Sequence, residues 1–305
     1  ALSASAEEHP LWMRYPAISP DGTTIAFAYK GDLYSVSVNG GEARQLTTHA
    51  AFDSHPVWSP DSKKIAFQSN REGSLDIFVI DAKGGAPTRL TTNSGSETPI
   101  AFADNDHVLY SASLQPTAQS IIFGDNTFPQ VYKVSTKGGR PELFSTLTME
   151  NISIAKNGGI LYHDKKGYED PWRKHQKSPI ARDIWLKSNG KFTKQTTFAG
   201  EDRSPVWTSD EKSFFYLSEQ DGTFNIYRRS LNSSSDKQIT HHKGNPVRFL
   251  TASSADLLCY GYDGEIYTVK EGGEPQKVNI SITTDNDAPS LVRQIKSWGA
   301  TEISV

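Results

Sequence analysis

Pro56-Val57-Trp58-Ser59-Pro60-Asp61-Ser62 decides the fold, because Pro16-Ala17-Ile18-Ser19-Pro20-Asp21-Gly22 carries the same pattern forty positions earlier. Ile25-Ala26-Phe27 and Ile65-Ala66-Phe67 follow the two stretches at the same distance. Asp32-Leu33-Tyr34 and Asp76-Ile77-Phe78 come next, then the turns Gly40-Gly41 and Gly84-Gly85. Both units close alike, on Gln45-Leu46-Thr47-Thr48 and Arg89-Leu90-Thr91-Thr92. A recurrence of this length marks a repeat architecture.

Four weaker copies follow. The third runs through Pro99-Ile100-Ala101-Phe102, Val108-Leu109-Tyr110 and Gln130-Val131-Tyr132, and the fourth through Ile152-Ser153-Ile154, Ile160-Leu161-Tyr162 and Asp183-Ile184-Trp185. The fifth returns to type with Pro205-Val206-Trp207 and Phe214-Phe215-Tyr216, and the sixth has Leu257-Leu258-Cys259-Tyr260 and Glu265-Ile266-Tyr267. Each unit holds four short β-branched and aromatic runs separated by turn residues, the pattern of a four-stranded meander. Pro presets φ in the Pro-Asp-Gly turn, Asp accepts from the amides that follow, and Gly tolerates positive φ. One such sheet cannot bury both its faces, whereas radial stacking lets each sheet cover the next. The expected fold is therefore all-β: a six-bladed β-propeller of four-stranded antiparallel blades. Its blades are expected near 16–55, 56–98, 99–150, 151–204, 205–245 and 246–283. Blade one opens with its own inner strand and blade six is complete by Ile282. No strand exchange between the termini is therefore expected, and packing of blade one on blade six alone should close the ring.

The 305 residues carry a formal charge of −3 with the charges interspersed. No phosphate-binding stripe is present, so nucleic acid is not an expected partner. No run of about 18 apolar residues could span a membrane. The lone Cys259 leaves no disulfide framework and reads as a core thiol. Residues 1–15 read as a lead-in whose Ala4-Ser5-Ala6 resembles the end of a secretory signal. Export to the periplasm or envelope is expected on that reading, with the cytoplasm as the alternative. Residues 284–305 read as a linker and the start of a following domain.

Function is sought where the repeat is stretched. Most blades keep the loop between strands two and three short, but Ser111 to Pro129 in blade three and His163 to Arg182 in blade four are long. Loops of that length in a compact domain are usually functional, and both lie on one face of adjacent blades. The candidate binding residues are Leu114, Phe123, Phe128, Tyr168, Trp172, Arg173, Lys174 and His175. They fit a contact surface with aromatic and arginine anchors, or two insertions that plug the channel mouth. No catalytic residue is expected: there is no Gly-x-Ser-x-Gly elbow, and the acidic residues are scattered through turns. His163, His175 and the pair His241-His242 lack ligand spacing and read as surface or loop histidines, so neither a metal nor a cofactor is expected.

Pro56-Val57-Trp58-Ser59-Pro60-Asp61 and its followers resemble the repeat of the TolB-type propeller superfamily. A narrower resemblance runs from about Pro16 to Val278. It is carried by Leu114-Gln115-Pro116, by Gly167-Tyr168-Glu169-Asp170-Pro171-Trp172-Arg173-Lys174 and by Asp183-Ile184-Trp185-Leu186. Asp221-Gly222-Thr223-Phe224-Asn225-Ile226-Tyr227 and Gly264-Glu265-Ile266-Tyr267 extend it. Order and spacing resemble the N-terminal six-bladed propeller of the tricorn protease family. Gly299-Ala300-Thr301-Glu302-Ile303-Ser304-Val305 resembles the inner strand of a further repeat. The resemblance implies a non-catalytic accessory propeller of a serine peptidase that gates or channels peptides or scaffolds assembly. Its implied partners are a second propeller, PDZ-like and peptidase domains of the same polypeptide, peptides, and a further copy of itself. The alternative is a stand-alone TolB-like protein-binding module.

Overall fold

The computed structural model describes residues 5–7, 10–114, 128–167, 178–231 and 235–284. Six four-stranded antiparallel sheets stand around a common axis, each built from one contiguous stretch of chain. Their innermost strands are Arg14–Ile18, Asp53–Trp58, Glu97–Asp104, Met149–Ile154, Asp202–Trp207 and Arg248–Ala252. None of the described residues is helical, so none forms a helix long and apolar enough to cross a membrane.

The turn chemistry read from the repeat is what links strands one and two. In blade one Ser19 Oγ donates to Asp21 Oδ1 at 2.6 Å, and the same carboxylate accepts from the Thr23 amide at 3.0 Å. Ser59 and Asp61 repeat the contact at 2.7 Å in blade two, and Thr208 with Asp210 at 2.6 Å in blade five. These Asp and Ser side chains are spent on holding turns.

Hydrophobic burial lies between blades, in six separate cores, one for each seam. The period-two alternation of a strand sends Ile25 and Phe27 to the seam with blade six, and Ala26 and Ala28 to the seam with blade two. Phe67 and Phe78 fill the one–two seam, Tyr110 and Tyr132 the two–three seam, and Phe214, Tyr216 and Tyr227 the four–five seam. Burying each such ring stabilises by roughly 2–3 kcal/mol. Cys259 is fully buried in the one–six core, where desolvation raises its thiol far above the usual range.

Among the described residues no blade mixes strands from the two ends of the chain. Packing alone does not close the ring, however. After blade six the strand Ile280–Thr284 crosses to the rim of blade one and pairs in parallel with Gly41–Glu42. Ser5–Glu7 pairs antiparallel along its other side. The Gly41 amide donates to Asn279 O at 2.8 Å and the Ala43 amide to Ser281 O at 2.8 Å. Ile280 and Ile282 are buried in the one–six core, so the clasp is hydrogen-bonded and apolar together. The segment read as the end of blade six thus works as a separate rim strand. Gly40 makes the approach possible: its φ is 83°, and a Cβ there would meet Asn279 O at 2.4 Å.

Candidate functional site at the channel mouth

Every innermost strand breaks register with its neighbour at the same level. The shifts fall between Arg14 and Ala17, Ser54 and Val57, Pro99 and Ala101, Glu150 and Ser153, Arg203 and Val206, and Arg248 and Thr251. In five of these six bulges a non-glycine residue takes a left-handed backbone: Tyr15 (φ 54°), His55 (56°), Asn151 (48°), Ser204 (54°) and Phe249 (59°). Such a conformation costs on the order of 1–3 kcal/mol at each site. Proline follows three of them, at Pro16, Pro56 and Pro205, where its missing N–H removes a donor that the bulge would leave unpaired. The bulges form a ring around the axis, at the end where strand one begins and where the loops between strands two and three lie.

The ring has two unlike halves. On blades six, one and two the side chains make an aromatic arc. The Tyr15 ring lies 3.7 Å from His55, centroid to centroid, and 4.7 Å from Phe249. Burial takes the His55 imidazole down to about 4, so it is neutral near pH 7. Ser54 Oγ approaches His55 Nδ1 at 3.1 Å, yet Ser54 is fully buried and accepts from Gln68 Nε2 at 3.0 Å. That contact is structural and not a nucleophile beside its base.

On blades four, five and six the wall is charged. The Ser204 amide donates to His163 Nδ1 at 3.0 Å. His163 must then carry its proton on Nε2, which donates to Glu150 Oε2 at 3.1 Å. Arg182 Nε donates to the same oxygen at 3.0 Å, and Arg182 Nη1 to Glu201 Oε1 at 3.0 Å. Lys165 Nζ lies 3.7 Å from Glu150, and Arg203 Nε 3.6 Å from Glu201. Desolvation lowers the His163 imidazole below its ordinary value. Burial acts to raise Glu150, but the His163 hydrogen bond and the nearby cations hold its carboxyl well below the usual carboxylate range. Burial brings the Arg203 guanidinium down to about 10, with the charges of Arg182 and Arg248 acting in the same direction.

These groups open on an axial cavity of about 1010 Å³, which Trp58 and Trp207 also line. The stems of both long loops reach it, through Ser113 and Pro129 of blade three and His163 and Arg182 of blade four. Of the residues anticipated from the sequence, Leu114 packs against the two–three core, and its carbonyl accepts from Tyr132 OH at 3.4 Å. Phe128 is 55 % exposed. Phe123, Tyr168, Trp172, Arg173, Lys174 and His175 lie outside the described residues. His163 is a correction: it is a fully enclosed member of the channel wall, not a surface or loop histidine. His242 is also partly buried, with its ring stacked on Tyr262 at 3.9 Å, while His241 is exposed. Sequence reasoning missed the bulge ring. The traces it left are Arg14-Tyr15-Pro16, Arg203-Ser204-Pro205 and Arg248-Phe249, with the arginine in register on three blades.

A six-bladed ring of four-stranded blades around an axial cavity with a strained, half-charged mouth defines a β-propeller. Residues 10–275 match the family described as the tricorn protease N-terminal beta propeller domain, and the chain belongs to that family. The Tricorn protease homolog 1 of Streptomyces coelicolor is 25 % identical over 280 residues, covering 90 % of this chain and 25 % of that protein. The crystal structure of the tricorn protease superposes with a TM-score of 0.73 at 19 % identity, over 88 % of this chain and 26 % of that one. TolB from Acinetobacter baumannii shares the fold at a TM-score of 0.64 and 14 % identity, over 86 % of this chain and 66 % of that one. The chain spans about a quarter of the length of the curated relatives it matches.

Proposed function

We propose that the chain is a non-catalytic accessory propeller of a tricorn-like serine peptidase, and that its channel mouth receives peptides. The observation that carries the reading is the axial cavity of about 1010 Å³, ringed by strained residues and reached by the stems of the two longest loops. Backbone strain held at one level on five blades supports the reading, because such strain concentrates at ligand sites. Membership of the tricorn propeller family supports the peptidase setting. Under this reading the exposed Phe128 is available to peptides or a neighbouring domain, and Trp172 and Arg173 are candidate contacts for them. The peptidase chemistry belongs to other domains of the same polypeptide.

Trp58 and Trp207 line the cavity and report on its occupation. Titrating the chain with a mixed library of peptides about ten residues long should change their fluorescence saturably and release no cleavage products. A flat titration across the library would overturn the peptide-channel reading, and cleavage by the isolated chain would overturn the non-catalytic one.

A further inference from the structure

Three inner strands begin with a buried acid at the same register: Asp53 opposite Ser69, Glu97 opposite Ala112 and Asp202 opposite Ser218. Blade two supplies Asp53 with a cation. Arg71 Nη2 lies 2.8 and 3.1 Å from its two oxygens, and the guanidinium covers the Phe67 and Phe78 rings. In blade three the matching rings are Tyr110 and Tyr132. Among the described residues, Glu97 Oε2 and the Tyr110 hydroxyl have no hydrogen-bond partner. The groups that face Glu97 are Asp76 and Arg89 of blade two, the Thr91 hydroxyl at the link between the blades, and Tyr110 of its own blade. Arg89 is committed to Asp76 at 2.7 Å. Ionised Glu97 is therefore an uncompensated charge in an apolar seam, whereas protonated Glu97 is not.

The same seam lacks a second fastening. Trp58 Nε1 ties blade two to Ala17 O of blade one at 2.8 Å, and Trp207 Nε1 ties blade five to Ser153 O of blade four at 3.1 Å. Phe102 holds the equivalent position in blade three and has no N–H to donate. Asp202 has no cation of its own either, but the Ser204–His163 and Arg182–Glu201 hydrogen bonds span its seam. Between blades two and three, hydrogen bonds cross at the end away from the mouth. There Lys64 Nζ meets Asn105 O at 3.2 Å and Asp106 Oδ1 at 3.3 Å, and the Asp61 amide donates to Asn105 Oδ1 at 3.0 Å. Ser96 and Thr98, on either side of Glu97, line the axial cavity.

We propose that the seam between blades two and three is a proton-latched side opening into this cavity. Protonated Glu97 holds the seam shut, and ionised Glu97 parts its mouth end on a hinge formed by the Lys64 and Asp61 contacts. The device lies behind the cavity wall and does not depend on what the cavity receives. Burial, with the charge of Asp76 acting in the same direction, pushes Glu97 up to about 7 in the closed seam. In the open, hydrated seam the carboxyl returns to about 4.3. The open fraction therefore rises with pH between these values, by up to about tenfold per pH unit, and levels off above them.

A buried thiol reads the opening. Ala112→Cys places one in the two–three core and Ala28→Cys one in the one–two core, while Cys259 reports on the one–six core. Labelling by a neutral thiol reagent is compared at pH 5 and pH 7.5, each rate taken relative to a free cysteine peptide at the same pH. The relative rate at Ala112→Cys should rise about tenfold or more, and at the other two thiols by less than about twofold. Glu97→Gln should remove the rise. Asp76→Asn frees Arg89 to pair with Glu97, so the rise should end at a lower pH, a shift that a purely structural role for Glu97 does not produce. No rise at Ala112→Cys, or an equal rise at all three thiols, overturns the proposal. So does a rise that survives in a folded Glu97→Gln protein, or an unchanged end point in Asp76→Asn.

Discussion

The amide of Ser204 donates to Nδ1 of His163 at 3.0 Å across the seam between blades four and five. A left-handed residue on one blade thereby fixes the tautomer of a buried histidine on the next, and that histidine fixes Glu150. The strained ring and the charged wall are thus joined through this histidine.

His163 should accordingly be neutral in the folded protein at pH values where a free imidazole begins to take up its proton. Its folded pKa is lowered, so the unfolded chain takes up the proton first. The stability His163 contributes is complete above pH 6.5 and is lost as pH falls from there toward the folded value. His55, with a folded value of about 4, acts in the same direction. Glu150, held low, adds stability that is present above pH 4.5 and lost below it. Nitrogen chemical shifts at pH 6 should report an Nε2-protonated neutral ring for His163; an imidazolium there would refute the account. His163→Gln should cost about 3 kcal/mol, read from denaturant unfolding, because it breaks a buried ionic network.

Two buried acids pull the other way. Glu97 and Asp202 begin the inner strands of blades three and five, and each is 1 % exposed. Desolvation pushes both up to about 7, with Asp76 near Glu97 and Asp183 and Asp236 near Asp202 adding like charge. A raised acid favours the folded state at low pH, and that contribution falls as pH climbs from about 4 to about 7. Asp202→Asn should therefore stabilise the protein by on the order of 2 kcal/mol at pH 8 and change little at pH 5. Thermal midpoints of the variant and the parent at both values check it; an equal shift at the two would be inconsistent with a neutral buried acid.

The rim clasp hangs on a single glycine. Gly40→Ala places a methyl group where Asn279 O already lies, on a backbone at φ 83°. The variant should lose about 2 kcal/mol or more. Amide exchange should quicken at Gly41 and Ala43 while the four–five seam stays protected. Uniform acceleration across all six blades would mean that the clasp and the ring open together.

The blades were legible in the sequence because their signals are local. Pro56-Val57-Trp58-Ser59-Pro60-Asp61 states a strand, a turn and a seam contact within six residues, and Trp58 Nε1 reaches Ala17 O at 2.8 Å as that contact. Trp207 Nε1 makes the equivalent bond to Ser153 O at 3.1 Å. The bulge ring was not legible. Its positive φ falls on Tyr15, His55 and Phe249, residues that ordinarily mark extended strand, and on Ser204, while Asn151 alone is of a type that favours such a backbone. The clasp was missed for a different reason. Its pairing covers only a few residues, and Ile280-Ser281-Ile282 alternates in the same way as any blade strand. His163 was misread because its burial depends on Glu150, Arg182 and Ser204, which come from other strands and another blade.

The clasp also sets an order of events in folding. It joins Gly41 to Ile280, so its hydrogen bonds wait until nearly the entire chain has been brought round. Hairpins within blades close over a few residues and form early, whereas a contact between such distant positions bears the loop-closure entropy of everything between. Until that last step, blades one and six each present a bare apolar flank. Phe27 and Tyr34 stand on one flank, and Cys259 and Ile266 on the other. The half-finished ring is therefore the species most exposed to pairing with a second chain, and the rim strand shortens the time it spends open.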